Sequence, residues 1–366
     1  MSIDRSNLPA EFFDITSAQL LIQPEPQYLH ARTMLAAIMM ELDAASGGSL
    51  PGRGLPPSGA PYLALEDMQL ELSDPFYTEA WKVNREFLGT DGLPIGHTLR
   101  MNRPRFTDTT YTLASREVPS GTSISTTPVN VGSDQVDLTI KRYAGPLNGS
   151  GVVSPIGISR FDAKRSVHDL AQVREMHFKR DFHKFLDTAG VALFDAVDSG
   201  NIIYPAGMTA NNDSVAVGDF PFTYSQLRRM NMKLDQLGIP KFANGKRMAI
   251  VTPYQQEQLV SDPEFQRLAQ FAPPKNPLLV GSYFGTINNI DCFYSQTLTQ
   301  TANSNSIPVH CAQMFGPGMV GVGPGDMPRV VPNVQDNYAE DPIAIWLFYC
   351  AFGVLDPRFG VSGRST

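Results

Sequence analysis

Three groups of residues in this 366-residue chain are of types that can do chemistry. His168, His177 and His183 would suit a metal site or a general base. Their spacings of nine and six residues set them roughly 180° and 120° apart around a helix, so they do not converge as an i, i+4 ligand pair does. They read as surface histidines. Cys292, Cys311 and Cys350 are widely spaced and odd in number, which suggests neither a disulfide framework nor a CxxC metal site. The run GVGPGD at 321–326 lacks the Lys-Ser/Thr pair that follows a phosphate loop and opens no evident helix, so a loop or turn is expected there. With no GxSxG elbow either, the expectation is no catalytic residue, no cofactor and no metal.

Charge narrows the partners. Lys164, Arg165, Arg174, Lys179 and Arg180 form a basic cluster, but Asp169, Glu175 and Asp181 interleave with it and weaken any uniform field. The cluster reads as a solvated, salt-bridged helix face, with Glu175 and Lys179 in i, i+4 register. A net charge of −7 argues against a dedicated nucleic-acid binder and leaves only weak, non-specific contact with DNA. Charged residues make up 18% of the chain, against roughly 25% in soluble domains, which hints at surface buried in an assembly. The acidic start MSIDRSNLPAEFF has no signal-peptide core, and the apolar run 343–355 is too short to span a bilayer, so neither secretion nor a membrane is expected.

The elements that must carry these residues follow from periodicity. Residues 28–45 have helical spacing and run into the breaker-rich GGSLPGRGLPPSGAP. From His97 to Pro146 the period is two, with Leu99 and Met101, Val129 and Val131, and Val136, Leu138 and Ile140 as apolar alternates. A long hairpin is expected, with a Ser/Thr/Gly/Pro-rich tip and an apolar face that it cannot bury alone. Residues 162–198 are the strongest helix: Asp162 can cap it, Gly200 follows it, and Leu170, Phe178, Phe182, Phe185 and Leu193 form its core face. Gly190 inside it costs about 1 kcal/mol relative to alanine and is expected to permit a bend in this spine. A short helix at 223–237, a buried strand at 247–252, a helix at 253–270 broken at Pro263, strands at 284–294 and terminal strands at 329–366 complete an α+β chain.

That order, with GHTLRMNRPRF entering the hairpin, VDLTIKRYAG leaving it and RMAIVTPYQQEQLVSDPEF followed by VGSYFGTINNIDCFYSQTL, resembles the Hong Kong 97-type fold of tailed-bacteriophage major capsid proteins. The resemblance covers roughly residues 90 to 360. It implies an N-terminal arm (1–62), the start of a P-domain (63–96), an extended E-loop (97–147), the P-domain with its spine helix (148–240), an A-domain (241–328) and C-terminal strands returning to the core (329–366). Encapsulin shells look similar and form the alternative. A soluble enzyme or binding protein with an inserted hairpin is the alternative from another class.

The resemblance further implies self-assembly as hexamers and pentamers, the hairpin lying over one neighbour and the arm wrapping another. Separate scaffolding, portal and decoration proteins are the implied partners, because the short N-terminal region has no long coiled-coil pattern to act as an attached scaffold. Some relatives cross-link a hairpin lysine, yet no lysine lies between Lys82 and Lys141. Arg100, Arg103, Arg105 and Arg116 suit carboxylate pairing across an interface instead, with Val129 and Val131 as further inter-subunit contacts. Non-covalent interlocking is expected.

Overall fold

The structure is a computed structural model that describes residues 28–45, 79–83, 98–104, 133–157, 170–205, 220–269, 283–302, 307–333 and 343–366. The long apolar run near the C-terminus organises the first sheet. Residues Ile343–Val354 form β13, flanked by β12 (Val320–Asn333) and β4 (Lys141–Gly145), with β1 (Trp81–Val83) parallel to β12 and β5 (Ile156–Gly157) on the far end of β13. This sheet has two covered faces, which is why its central strand is apolar on both sides. Val320, Val322, Trp346, Phe348 and Cys350 face one side and join the main core. Ala351 and Leu355 join a separate cluster on the other.

The second sheet has seven strands in the order β6 (Ile202–Ile203), β14 (Gly360–Ser365), β11 (Pro308–Phe315), β7 (Arg247–Val251), β9 (Ile290–Tyr294) and β8 (Tyr283–Ile287), with β10 (Gln300–Ala302) also on β11. Asn288 and Asn289 both take positive φ in the two-residue turn between β8 and β9, a conformation that asparagine tolerates. Alternate residues of β7 and β11 serve two cores. Met248, Ile250 and Phe315 pack with the spine, while Ala249, Val251, Ala312 and Met314 pack under the helices Tyr224–Gln236, Pro253–Ser261 and Pro263–Ala269. Thr252 and Gln255 form a reciprocal capping box at the second of these helices, and Pro263 opens the third.

The spine helix runs from Leu170 to Asp195, 26 residues and about 39 Å at 1.5 Å per residue. It ends three residues before the expected Asp198, and a short turn at Ser199–Asn201 follows. Residues 162–169, with Asp162, Lys164, Arg165 and His168, lie outside the described residues. Phe178, Phe182 and Leu186 are fully buried along it, and Val191 and Phe194 are buried as well. Phe185 and Leu193, expected on the core face, are only half-buried, because the helix is gripped from two directions and its buried stripe turns toward Asp187, Gly190 and Val191. Leu170 opens the helix.

Two expectations about the spine's polar face are corrected. His183 is buried and not a surface histidine, and Arg174 is 3% exposed, so neither belongs to a solvated face. Glu175 and Lys179 do form their i, i+4 ion pair, and His177 is exposed.

The first helix, Leu29–Ala45, corrects another. Residues 28 to 38 are all buried, packed on the spine and on Trp81. The described part of the 1–62 segment is thus a core element of its own subunit; the remainder of that segment lies outside the described residues.

Candidate functional site

The hairpin is the first candidate for a working part. Its base is β2 (Thr98–Pro104) paired antiparallel with β3 (Ser133–Thr139), from Thr98 opposite Thr139 to Pro104 opposite Ser133. Met101, Leu138 and Ile140 are buried at this base against Ala351 and Leu355. The root of the hairpin therefore lies on its own sheet and not on a neighbour, which supplies part of the cover its apolar face requires.

The sheet receives it through glycines. Gly321 and Gly353 stand directly opposite one another on β12 and β13. A Cβ on Gly353 would fall inside Leu138 Cδ2, one on Gly321 would lie 2.9 Å from Met101 Sδ, and one on Gly325 would lie 3.1 Å from Ile140 Cγ2. The glycine-rich run at 321–326 is thus a strand segment and not the expected loop: its missing side chains form the seat of the hairpin.

Of the arginines expected at the interface, Arg100 is exposed and donates to Asp137 at 3.1 Å, its directly paired residue on the neighbouring strand. Its carboxylate partner is intramolecular. Arg103 lies in β2 opposite Asp134. Arg105, Arg116, Val129 and Val131 lie outside the described residues.

A second construction, which sequence reasoning missed, locks the first helix to the spine. Asp187, fully buried, accepts from the backbone N–H groups of His30 at 2.8 Å and Ala31 at 3.1 Å, so a spine carboxylate caps the first helix at its positive end. Its other oxygen accepts from the Thr297 hydroxyl. The Gln313 amide donates to Asp195 Oδ1 at 2.7 Å and to the Val191 carbonyl at 3.2 Å, which leaves its oxygen facing His30 Nε2 at 2.9 Å. Asp195 also accepts from the Thr299 hydroxyl. These groups come from four separate stretches of chain, and no local motif announces them.

Gly190 sits where the two helices cross. A Cβ there would lie 2.6 Å from His30 Cβ and 3.4 Å from Trp81 Cη2. The spine continues as helix through this position, so the glycine is explained by close approach.

Aromatic packing continues the lock. Phe182 meets Trp346 and Phe348 edge-on at 5.2 and 5.5 Å, and Phe194 stacks on Phe315 at 4.2 Å. The Trp346 Nε1–H donates to Asp181 at 2.8 Å, so this half-buried member of the polar face is also a structural acceptor. Burial pushes its carboxyl above the usual range, against the Trp346 bond, which pulls it down.

The remaining chemistry-bearing groups are packed away. Cys292, Cys311 and Cys350 are buried and form no disulfide. Burial pushes the thiols of Cys292 and Cys350 well up, away from thiolate. His310 is buried beneath Tyr254, ring centroids 4.7 Å apart, and burial pushes its pKa down. Among the described residues no cluster of His, Cys, Asp and Glu could hold a metal, and no helix is long and apolar enough to cross a membrane. An open groove of about 420 Å³ on the spine is lined by His177, Arg180, Asp181 and Lys184 with Tyr28, Gln296 and Thr297.

A two-sided sheet with a spine on one face and a seated hairpin on the other, joined to a second mixed sheet, defines a class of fold found in phage capsid proteins. The chain is similar in structure to the capsid protein of Ralstonia phage GP4, with 13% identity, a TM-score of 0.59, and 78% of this chain and 87% of that one covered. It is also similar to the capsid of cyanophage Pam1 (10% identity, TM-score 0.55, 78% and 88% covered) and that of cyanophage P-SCSP1u (14% identity, TM-score 0.52, 78% and 86% covered). No protein-family model matches the sequence, and no curated protein matches it. The likeness therefore lies in the fold, at identities where sequence comparison is silent.

Proposed function

We propose that this chain is the major capsid protein of a tailed bacteriophage, which tiles an icosahedral shell as hexamers and pentamers around a double-stranded DNA genome. The observation that carries this reading is the fold shared with phage capsid subunits over 78% of the chain. The architecture is read as Hong Kong 97-type. The spine and five-stranded sheet form the P-domain, the seven-stranded sheet and its helices form the A-domain, and the hairpin is the E-loop. The strand β12 lies wholly in the five-stranded sheet, so the A-domain boundary expected at 328 falls inside a P-domain strand, and the helix Tyr224–Gln236, expected in the P-domain, shares the seven-stranded sheet's core.

No reaction is assigned to the chain. A packed thiol, a buried imidazole and carboxylates spent on capping are groups of stability. Separate scaffolding, portal and decoration proteins are the proposed partners besides the chain itself. DNA contact is weak and non-specific; Arg180 and Lys184 offer positive charge, in a groove they share with Asp181.

Electron microscopy of the purified chain tests the reading. Closed shells of uniform size are expected, and a protein that remains monomeric at all concentrations would refute it. Particles from infected cells containing protein cargo in place of DNA would favour an encapsulin-like compartment.

A further inference from the structure

The stretch 146–154 joins edge strand β4 to β5 and projects beyond the first sheet as a short stub. Its side chains invert the usual surface rule: Leu147 is 57% exposed, Val152 60% and Val153 43%. Single exposed aliphatics are ordinary, but three within seven residues on one projection are not.

The stub is also rigid. Ser154 N–H donates to the Pro146 carbonyl at 2.9 Å and Asn148 N–H to the Val152 carbonyl at 2.8 Å, bringing Leu147 opposite Val153 in an antiparallel bridge. The Asn148 side-chain oxygen accepts from Ser150 N–H at 2.9 Å and Val152 N–H at 3.0 Å. The backbone N–H of Leu147 donates to Asp181, the same carboxylate that holds Trp346. The stub is therefore bolted to the spine, and its ordering entropy is met before any partner arrives.

From this geometry we infer that the 146–154 stub is a docking element for a second copy of this chain within the assembled shell. The inference rests on the shell reading above. The size of the patch selects this occupant. Three aliphatic side chains present on the order of a few hundred Å², far below the roughly 1,600 Å² of an interface that stands alone. Such a contact cannot hold a foreign protein unaided. It contributes where other contacts already place the partner and symmetry repeats it around the particle. The stub should therefore be silent in the free subunit and engaged in the shell.

Photo-crosslinking tests this. The three native cysteines are buried, so Val152→Cys places one accessible thiol on the stub for a benzophenone-maleimide label. In shells assembled from this chain alone, irradiation should give covalent dimers, and the unassembled subunit at the same concentration should give none. A double variant, Leu147→Asp with Val153→Asp, should keep the wild-type circular dichroism and Tm while closed-shell yield falls at least tenfold. Closed shells without dimer crosslinks, or normal shell yield from the double variant, would overturn the inference and leave the shell reading intact. Failure of the wild-type chain to form shells under any condition would sink the shell reading itself, and the docking role with it.

Discussion

Substituting Gly190→Ala separates two accounts of the same glycine. If it is a bend point, alanine should stiffen the spine and stabilise the isolated subunit by about 1 kcal/mol, the helix-propensity difference. The structure argues the opposite sign. The new Cβ would lie 2.6 Å from His30 Cβ and 3.3 Å from His30 Cγ, so the first helix must move. Overpacking of this kind costs ~1–3 kcal/mol. Moving His30 also strains its 2.9 Å contact with Gln313 and the two N–H bonds to the Asp187 carboxylate, the latter of a charge-assisted kind worth ~1.5–3 kcal/mol. Even partial loss outweighs the propensity gain, and a net destabilisation of ~1–4 kcal/mol is expected. Urea unfolding of the unassembled subunit, followed by tryptophan fluorescence, reads this directly because Trp81 and Trp346 are both in the affected core. A midpoint equal to or above wild type would refute the helix-crossing account and return the bend to consideration.

Other perturbations follow from the same contacts. Gly353→Val should unseat Leu138, so limited proteolysis should cut around the hairpin base at least tenfold faster while the remaining core stays protected. Asp187→Ala strands the N–H groups of His30 and Ala31 and should cost ~2–3 kcal/mol, read as a lower denaturation midpoint. Arg100→Ala removes a pair that is 62% and 48% exposed and should change stability by less than ~0.5 kcal/mol; a larger loss would mean that the hairpin base depends on that pair. For His310, burial lowers the folded-state pKa below the ordinary 6.5, so the unfolded state binds the proton more readily. Its contribution is fully present above pH 6.5 and is lost as pH falls from there through the folded pKa. A His310→Asn variant should show a shallower loss of Tm over that window, and an unchanged slope would count against the assignment.

Much of the architecture was legible in the chain because its elements carry strong local periods. The helix expected at 28–45 is Leu29–Ala45, the strand expected at 247–252 is Arg247–Val251, the helix expected to start at Pro253 and break at Pro263 is Pro253–Ser261 followed by Pro263–Ala269, and the strands expected at 284–294 are Tyr283–Ile287 and Ile290–Tyr294. The base of the hairpin was legible too, since Met101 and Leu138 alternate with polar neighbours. What spacing misjudged is equally specific. Arg174 read as part of a solvated face and His183 as a surface histidine, because a helix seen alone has one apolar side and everything else belongs to water. The spine is instead enclosed by the first helix and two sheets, and its buried polar atoms meet partners more than a hundred residues away.

The amino-acid sequence by itself determined the helices and the hairpin base, the lack of a hairpin lysine and the poverty of charge, since these are properties of neighbouring residues and of composition, whereas the strand at 321–326 read as a loop. Only the tertiary structure decided why Gly190, Gly321, Gly325 and Gly353 are glycines, which carboxylate caps the first helix, and where the hairpin rests. A missing Cβ is informative only when the atom that would collide with it is known, and those atoms arrive from distant parts of the chain.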